Sequence, residues 1–239
     1  MTFPVRPDWR SARRGTPTGA LPSRVGIFGG TFNPIHCAHL RGAEEVREAQ
    51  GLEQVVFVPS GIPPHKGREH LAPAVHRLSM VRLAIRGNPF FRVSAIEIAR
   101  GGPSFSVDTV RALRGRLPAA RVAFILGLDA FAEIGTWKDY RSLFALCDMV
   151  VTSRPGAADV ALDGLLPVAA RSDFCYRRRT NLLEHATGHT IVFQRLTPIA
   201  ISASLVRARL AAHESIRYLV PPAVERYIAR HGLYASRAT

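Results

Sequence analysis

Apolar positions along this chain change period repeatedly, and each change marks an element. Val25–Phe28 is a continuous apolar run that predicts a short buried strand. Gly29–His36 is turn-like, and Ala38–Gln50 carries Leu40, Ala43 and Val46 at helical spacing. Val55–Pro59 reads as a second strand, Ser60–Ala72 as a loop rich in Pro, Gly and His, and Pro73–Arg86 as a helix with Val75, Leu78, Val81 and Ile85 on one stripe. Phe91–Ile98 is strand-like, and Ser106–Leu117 is helical through Val107, Val110, Leu113 and Leu117. Arg121–Gly127 has the clearest strand pattern in the chain. Helical character resumes at Ala130–Ile134 and Asp139–Leu146, and Met149–Thr152 is a strand stopped by Arg154, Pro155 and Gly156. Ala157–Gly188 has no clear periodicity and reads as a variable excursion. Ile191–Phe193 predicts a last strand, Ser202–Ala212 a helix, and Pro222–His231 a terminal helix ended by Gly232. Strands alternating with helices imply an α/β fold: an open, mostly parallel sheet with helices on both faces, binding ligands at the carboxyl ends of its strands.

Composition changes this picture at the N-terminus. Residues 1–23 are rich in Pro, Arg and small polar residues, which predicts a disordered basic extension ahead of one domain over residues 24–239. Pro4, Pro7, Pro17 and Pro22 break any amphipathic targeting helix, and no apolar stretch follows Arg13 and Arg14. The longest apolar runs, such as Val122–Leu128, are far too short to span a membrane. Cys37, Cys147 and Cys175 lie far apart without a CxxC pair, so neither a disulfide framework nor a structural zinc site is suggested, and a reducing compartment fits best.

A formal charge of +14, from 32 basic and 18 acidic residues, is compatible with a nucleic acid or with small anionic substrates. Lys66 and Lys138 are the only lysines, an arginine bias that points to coding-sequence composition. Aromatic residues outside the motifs are too sparse for a single-strand stacking platform.

The chemistry concentrates in GIFGGTFNPIHCAHL, Gly26–Leu40, where a strand enters a two-glycine turn and a helix starts near His36. Glycines let backbone N–H groups approach an anion, and a helix N-terminus adds unpaired donors. His36 and His39, three apart, lie on one side of the first helical turn. The spacing is neither the dinucleotide GxGxxG nor the Walker pattern. A metal-binding pair is the alternative for the histidines, although no nearby Cys, Asp or Glu completes a set. A purely structural turn is the alternative for the whole segment.

GGTFNPIHCAHL resembles the HxGH-type motif of the nucleotidyltransferase superfamily, with Ala38 where glycine is usual. Alanine suits a helix there unless the backbone requires positive φ. AISASLVRARL, Ala200–Leu210, is similar to the ISSTxIR element of the same superfamily, with Ser202, Ser204 and Arg207 in register and Ala203 replacing the middle serine. An ordinary serine-capped helix would look alike. VPSGIPPHK at Val58–Lys66, GPSFSVDTV at Gly102–Val110, ILGLDAFAEIGTWKDYRSL at Ile125–Leu143, SRPG at Ser153–Gly156 and the terminal YLVPPAVERYIARHGLY resemble bacterial nicotinate-nucleotide adenylyltransferases. The likeness spans about Arg24 to Tyr234 and is weakest over Ala157–Gly188.

The resemblance implies a Rossmann-like fold and a cytoplasmic enzyme of NAD biosynthesis. It would join AMP from ATP to nicotinate mononucleotide and release pyrophosphate, with Mg2+ accompanying ATP and with no nucleic-acid or membrane partner. It also implies roles. Gly29, Gly30, Thr31 and Phe32 would form the ATP turn, with His36 and His39 on the phosphates and His39 facing the reacting one. Gly127 and Asp129 would meet a ribose, and Ser202, Ser204 and Arg207 would hold triphosphate, Arg207 joining the histidines in catalysis. Lys66 would meet phosphate from a substrate loop, Ser106 would offer its N–H to the nicotinate carboxylate, and Trp137 would stack on the pyridine ring beside the Lys138 N–H. The residues alone leave Trp137 open as a loop-plugging aromatic, Asp129 as a helix N-cap and Asp108 as a helix cap. They also leave open transfer to the amide mononucleotide, a non-catalytic nucleotide-binding protein and a basic nucleic-acid-binding module.

Overall fold

A computed structural model describes residues 21–63, 71–153 and 161–235. The N-terminal extension up to residue 20, Lys66 and the stop at Arg154–Gly156 therefore lie outside the described residues. In chain order the first half comprises β1 (Arg24–Gly30), α1 (Cys37–Ala49), β2 (Gln54–Pro59), α2 (Ala74–Ala84), β3 (Phe91–Val93), α3 (Ile96–Arg100), α4 (Ser106–Arg116) and β4 (Arg121–Gly127). It continues through α5 (Leu128–Ala132), α6 (Tyr140–Leu146), β5 (Asp148–Thr152), α7 (Leu162–Leu165), β6 (Phe174–Arg177), β7 (Leu182–His185), β8 (Thr190–Gln194), α8 (Ala203–Ala211) and α9 (Pro222–Arg230).

The described strands form one eight-stranded sheet in the order β3-β2-β1-β4-β5-β8-β7-β6. The first six run parallel, and β7 and β6 close one edge as an antiparallel hairpin. Central strands such as Val55–Val58 and Val122–Leu126 are buried on both faces, which is why their sequences are continuously apolar rather than alternating. On one face Val25, Ile27, Phe124 and Leu126 pack against Leu113, Phe131 and Phe144. On the other Val55, Phe57 and Ile125 pack against Val46, Met80, Val206 and Val224. From β1 the chain winds outward to β2 and β3, and from β4 it winds the opposite way. The strand order thus reverses between β1 and β4, and a crevice opens beyond their carboxyl ends, at Gly30 and Gly127.

The structure departs from the sequence pattern in three places. Phe91–Ile98 is not one strand: β3 ends at Val93, the Ser94 hydroxyl accepts the Ile96 N–H at 3.3 Å, and α3 begins. On α2, Leu78, Val81 and Ile85 are buried as their spacing predicts, but Val75 is 57% exposed and the fully buried side chain at that end is Arg77. Ala157–Gly188, unreadable in the sequence, contains α7 and the β6–β7 hairpin.

Candidate active site

Residues after β1 fold back under their own side chains. Phe32 is buried in a left-handed conformation (φ 48), and its ring lies over Gly30, where a Cβ would come within 3.0 Å of it. Gly30 itself has ordinary φ, so this glycine is required by packing. His36 is the N-cap of α1 and His39 its third residue, and the two imidazoles stack with centroids 3.6 Å apart and planes 23° from parallel. The His36 backbone N–H donates to His39 Nδ1 at 3.3 Å. A nitrogen that accepts carries no proton, so the proton of the His39 ring sits on Nε2. Phe28 and Phe32 meet the His39 ring edge-on at 6.1 and 5.2 Å and fix its tilt. Burial lowers the His36 pKa to about 4, so that ring is neutral at physiological pH, a hydrogen-bonding group rather than a charge. Ala38 is helical without positive φ, so the departure from glycine leaves the turn intact.

The second motif reaches the first. Ser202 caps α8 by accepting the Leu205 N–H at 3.1 Å and shares a 2.9 Å hydrogen bond with the Ser204 hydroxyl. One turn later Arg207 Nη1 donates to the Asn33 carbonyl at 2.8 Å, three residues before His36. The α8 guanidinium is therefore hydrogen-bonded to the loop that leads into His36 and His39, far from it in sequence.

Among the described residues, the other expected site residues lie on the segments that follow β3 and at or after the end of β4. Gly127 ends β4 and is the N-cap of α5, which places Asp129 in the first turn of that helix and excludes it as the cap. Ser106 is the first residue of α4, capped by Phe105, so its N–H has no acceptor within the helix. Trp137 is half-buried, edge-on to Phe124 at 6.2 Å. The Lys138 ammonium binds Asp108 at 2.9 Å and lies 4.8 Å from the centre of the Phe105 ring, so Asp108 pairs with Lys138 instead of capping α4. A cavity of about 560 Å³ opens beside Phe105, floored by Gly61, Ala72 and Arg77.

Sequence reasoning missed Arg77, whose guanidinium donates to the carbonyls of Thr31 at 2.7 Å, Gly61 at 2.9 Å and Ala72 at 2.9 Å. The available signal was positional, since a basic residue four before Val81 occupies the apolar stripe of α2. Glu97 was missed too; it accepts the Thr109 hydroxyl at 2.6 Å, and burial raises its pKa. Nothing local in the sequence marks it.

Fold and crevice define an α/β protein of the nucleotidyltransferase kind, and the model of the cytidylyltransferase-like family matches residues 27–209. A Geobacter sulfurreducens protein named "Probable nicotinate-nucleotide adenylyltransferase" is 47% identical over 212 residues, covering 89% of this chain and 98% of that one. One of the same name from Geotalea daltonii is 48% identical over 211 residues, covering 88% and 98%. The chain belongs to the nicotinate-nucleotide adenylyltransferase branch of the cytidylyltransferase-like family. Its fold is shared with a Plasmodium falciparum nicotinic acid mononucleotide adenylyltransferase solved in complex with NaAD, at TM-score 0.68 and 17% identity over 89% of this chain and 97% of that one.

Proposed function

We infer that this protein transfers the adenylyl group of ATP to nicotinate mononucleotide, giving nicotinate adenine dinucleotide and pyrophosphate in NAD biosynthesis. The observation that most supports it is the junction of the two phosphate motifs, Arg207 hydrogen-bonded to the loop that carries His36 and His39. The nucleophile is a phosphate monoester whose second pKa near 6 leaves it largely dianionic at neutral pH, so no side chain has to take a proton. A mononucleotide oxygen forms its bond to the α-phosphorus as the bond to the bridging oxygen breaks and pyrophosphate leaves. The protein contributes alignment and charge stabilisation.

His39 Nε2–H donates to the reacting phosphoryl group, and His36, as a neutral ring, hydrogen-bonds the ATP phosphates beside it. Gly29–Phe32, Ser202, Ser204 and Arg207 hold the triphosphate, Gly127 and Asp129 the ribose. ATP enters as its magnesium complex, so the ion is part of the substrate. For the second substrate, Trp137 stacks on the pyridine ring beside the Lys138 N–H, Ser106 receives the carboxylate, and Lys66 meets the mononucleotide phosphate. The free N–H groups and positive dipole end of α4 favour that carboxylate over an amide. Among the described residues no helix is long and apolar enough to cross a membrane. The three cysteines are free, and the reading places the protein in the cytoplasm.

Pyrophosphate release from ATP with each mononucleotide tests this reading. The acid should be preferred in kcat/KM by about tenfold or more, the size expected when an anion site loses its charged partner. Equal use of both, or preference for the amide, contradicts it.

A further inference from the structure

Asn33 joins parts of the chain that share no motif. Its side-chain oxygen accepts two hydrogen bonds, from the Ala72 backbone N–H at 3.0 Å and from the Tyr234 hydroxyl at 2.8 Å, while its carbonyl accepts Arg207. Ala72 is held a second time, since its carbonyl receives Arg77 Nε at 2.9 Å and the same guanidinium binds the Thr31 carbonyl at 2.7 Å. Thr31, Arg77, Ala72 and Asn33 thus close a ring between the two-histidine loop and the residues leading into α2. Tyr234 enters this ring from the opposite end of the chain. It lies just after α9 in a left-handed conformation (φ 66) that a tyrosine rarely adopts. A backbone held in such a state, with the side chain turned inward onto a buried amide, is one that the surroundings enforce. Burial pushes the Tyr234 phenol well above its usual pKa, which keeps it protonated and able to donate.

We propose that Tyr234 is a positioning residue for adenylyl transfer: acting through Asn33, its hydroxyl sets the two-histidine loop against Ala72 and thereby the alignment of ATP with the second substrate. The inference rests on the adenylyltransferase reading above. A loosened loop still binds ATP, because the glycine turn and α8 are untouched, but it holds the reacting phosphoryl less well aligned.

The test is Tyr234→Phe, which removes one oxygen. kcat should fall about tenfold, the scale of a sub-ångström misalignment, while KM for ATP stays within about twofold. The same substitution in an Asn33→Ala background should cost nothing further, because the two residues act as one unit. Amide hydrogen exchange at Ala72 should be slow in the unaltered protein and faster in Tyr234→Phe, a readout that needs no activity. If the unaltered protein transfers AMP to neither mononucleotide, the functional reading fails, and exchange at Ala72 still decides whether Tyr234 holds the loop. Unchanged kcat, unchanged exchange, additive losses in the double variant, or a loss of activity that disappears on assaying well below the variant's melting temperature would each overturn the proposal.

Discussion

The two ends of the parallel sheet treat polar groups in opposite ways. At the amino end Asp148 is saturated: Arg121 grips it through Nε and, at 2.7 Å, through Nη2, the Thr190 N–H donates at 2.9 Å and His189 lies at 3.3 Å. These partners outweigh the cost of burial and hold its pKa far below the usual carboxylate range. At the carboxyl end His36 Nδ1 is buried with no hydrogen-bond partner among the described residues, and a deep arginine spends its donors on loop carbonyls. Phe32 and Tyr234 there have positive φ. One end is built to be stable alone. The other keeps strain and unmet polarity that a bound anion can relieve, as expected where strands of an open sheet end at a reversal of their order.

The largest expected effect breaks the carboxyl end alone. His39→Ala should lower turnover by about 10²-fold or more, as loss of an oxyanion donor does, with far-ultraviolet circular dichroism and melting unchanged. Near-normal turnover would remove His39 from the chemistry. The reciprocal change, Asp148→Asn, should cost roughly 2 kcal/mol in denaturant unfolding, at the low end for a broken pair because Arg121 is half-exposed, and should leave kcat intact.

Acid should separate the ends without mutation. The folded pKa of His36, about 4, lies below the ordinary 6.5, so the unfolded chain binds more protons between these values and stability rises with pH there. His36 therefore costs about 2 kcal/mol on going from about pH 8 to about pH 5, a loss that grows until its folded pKa is reached. The Asp148 contribution survives until pH falls below about 4, since its depressed pKa keeps it ionised. Hydrogen exchange during acid titration should open α1 before the strands at Asp148, and the reverse order would contradict the comparison. The smallest effect is Ala38→Gly, which restores the usual motif residue and should cost at most about 1 kcal/mol of stability with activity unchanged.

Much of this was legible in the sequence, and the reasons differ by region. β1, β2, β4 and β5 are buried on both faces, so their continuous apolar runs were visible. The start of α1 near His36 was visible because a glycine turn gives way to helical spacing at Leu40, Ala43 and Val46. Phe91–Ile98 misled because Ser94, a single local hydroxyl, ends the strand where apolar residues continue. Val75 and Arg77 misled because α2 lies beside the loops that supply carbonyls to a buried guanidinium, a tertiary arrangement that no period encodes. The β6–β7 hairpin was invisible because its strands are four residues each and join the sheet only through β7 on β8. In the candidate site, the expected residues came from pattern, whereas the links made by Asn33, Arg77 and Tyr234 run through hydrogen bonds across as many as 201 positions of sequence, which no local pattern encodes.

In the proposed reaction one triphosphate is shared by the two motifs. A crystal structure with a nonhydrolysable ATP analogue tests this directly: His39 Nε2 should lie within hydrogen-bonding distance of the α-phosphate, with Arg207 on the same triphosphate. An analogue bound by His39 while Arg207 faces a separate cavity would contradict it.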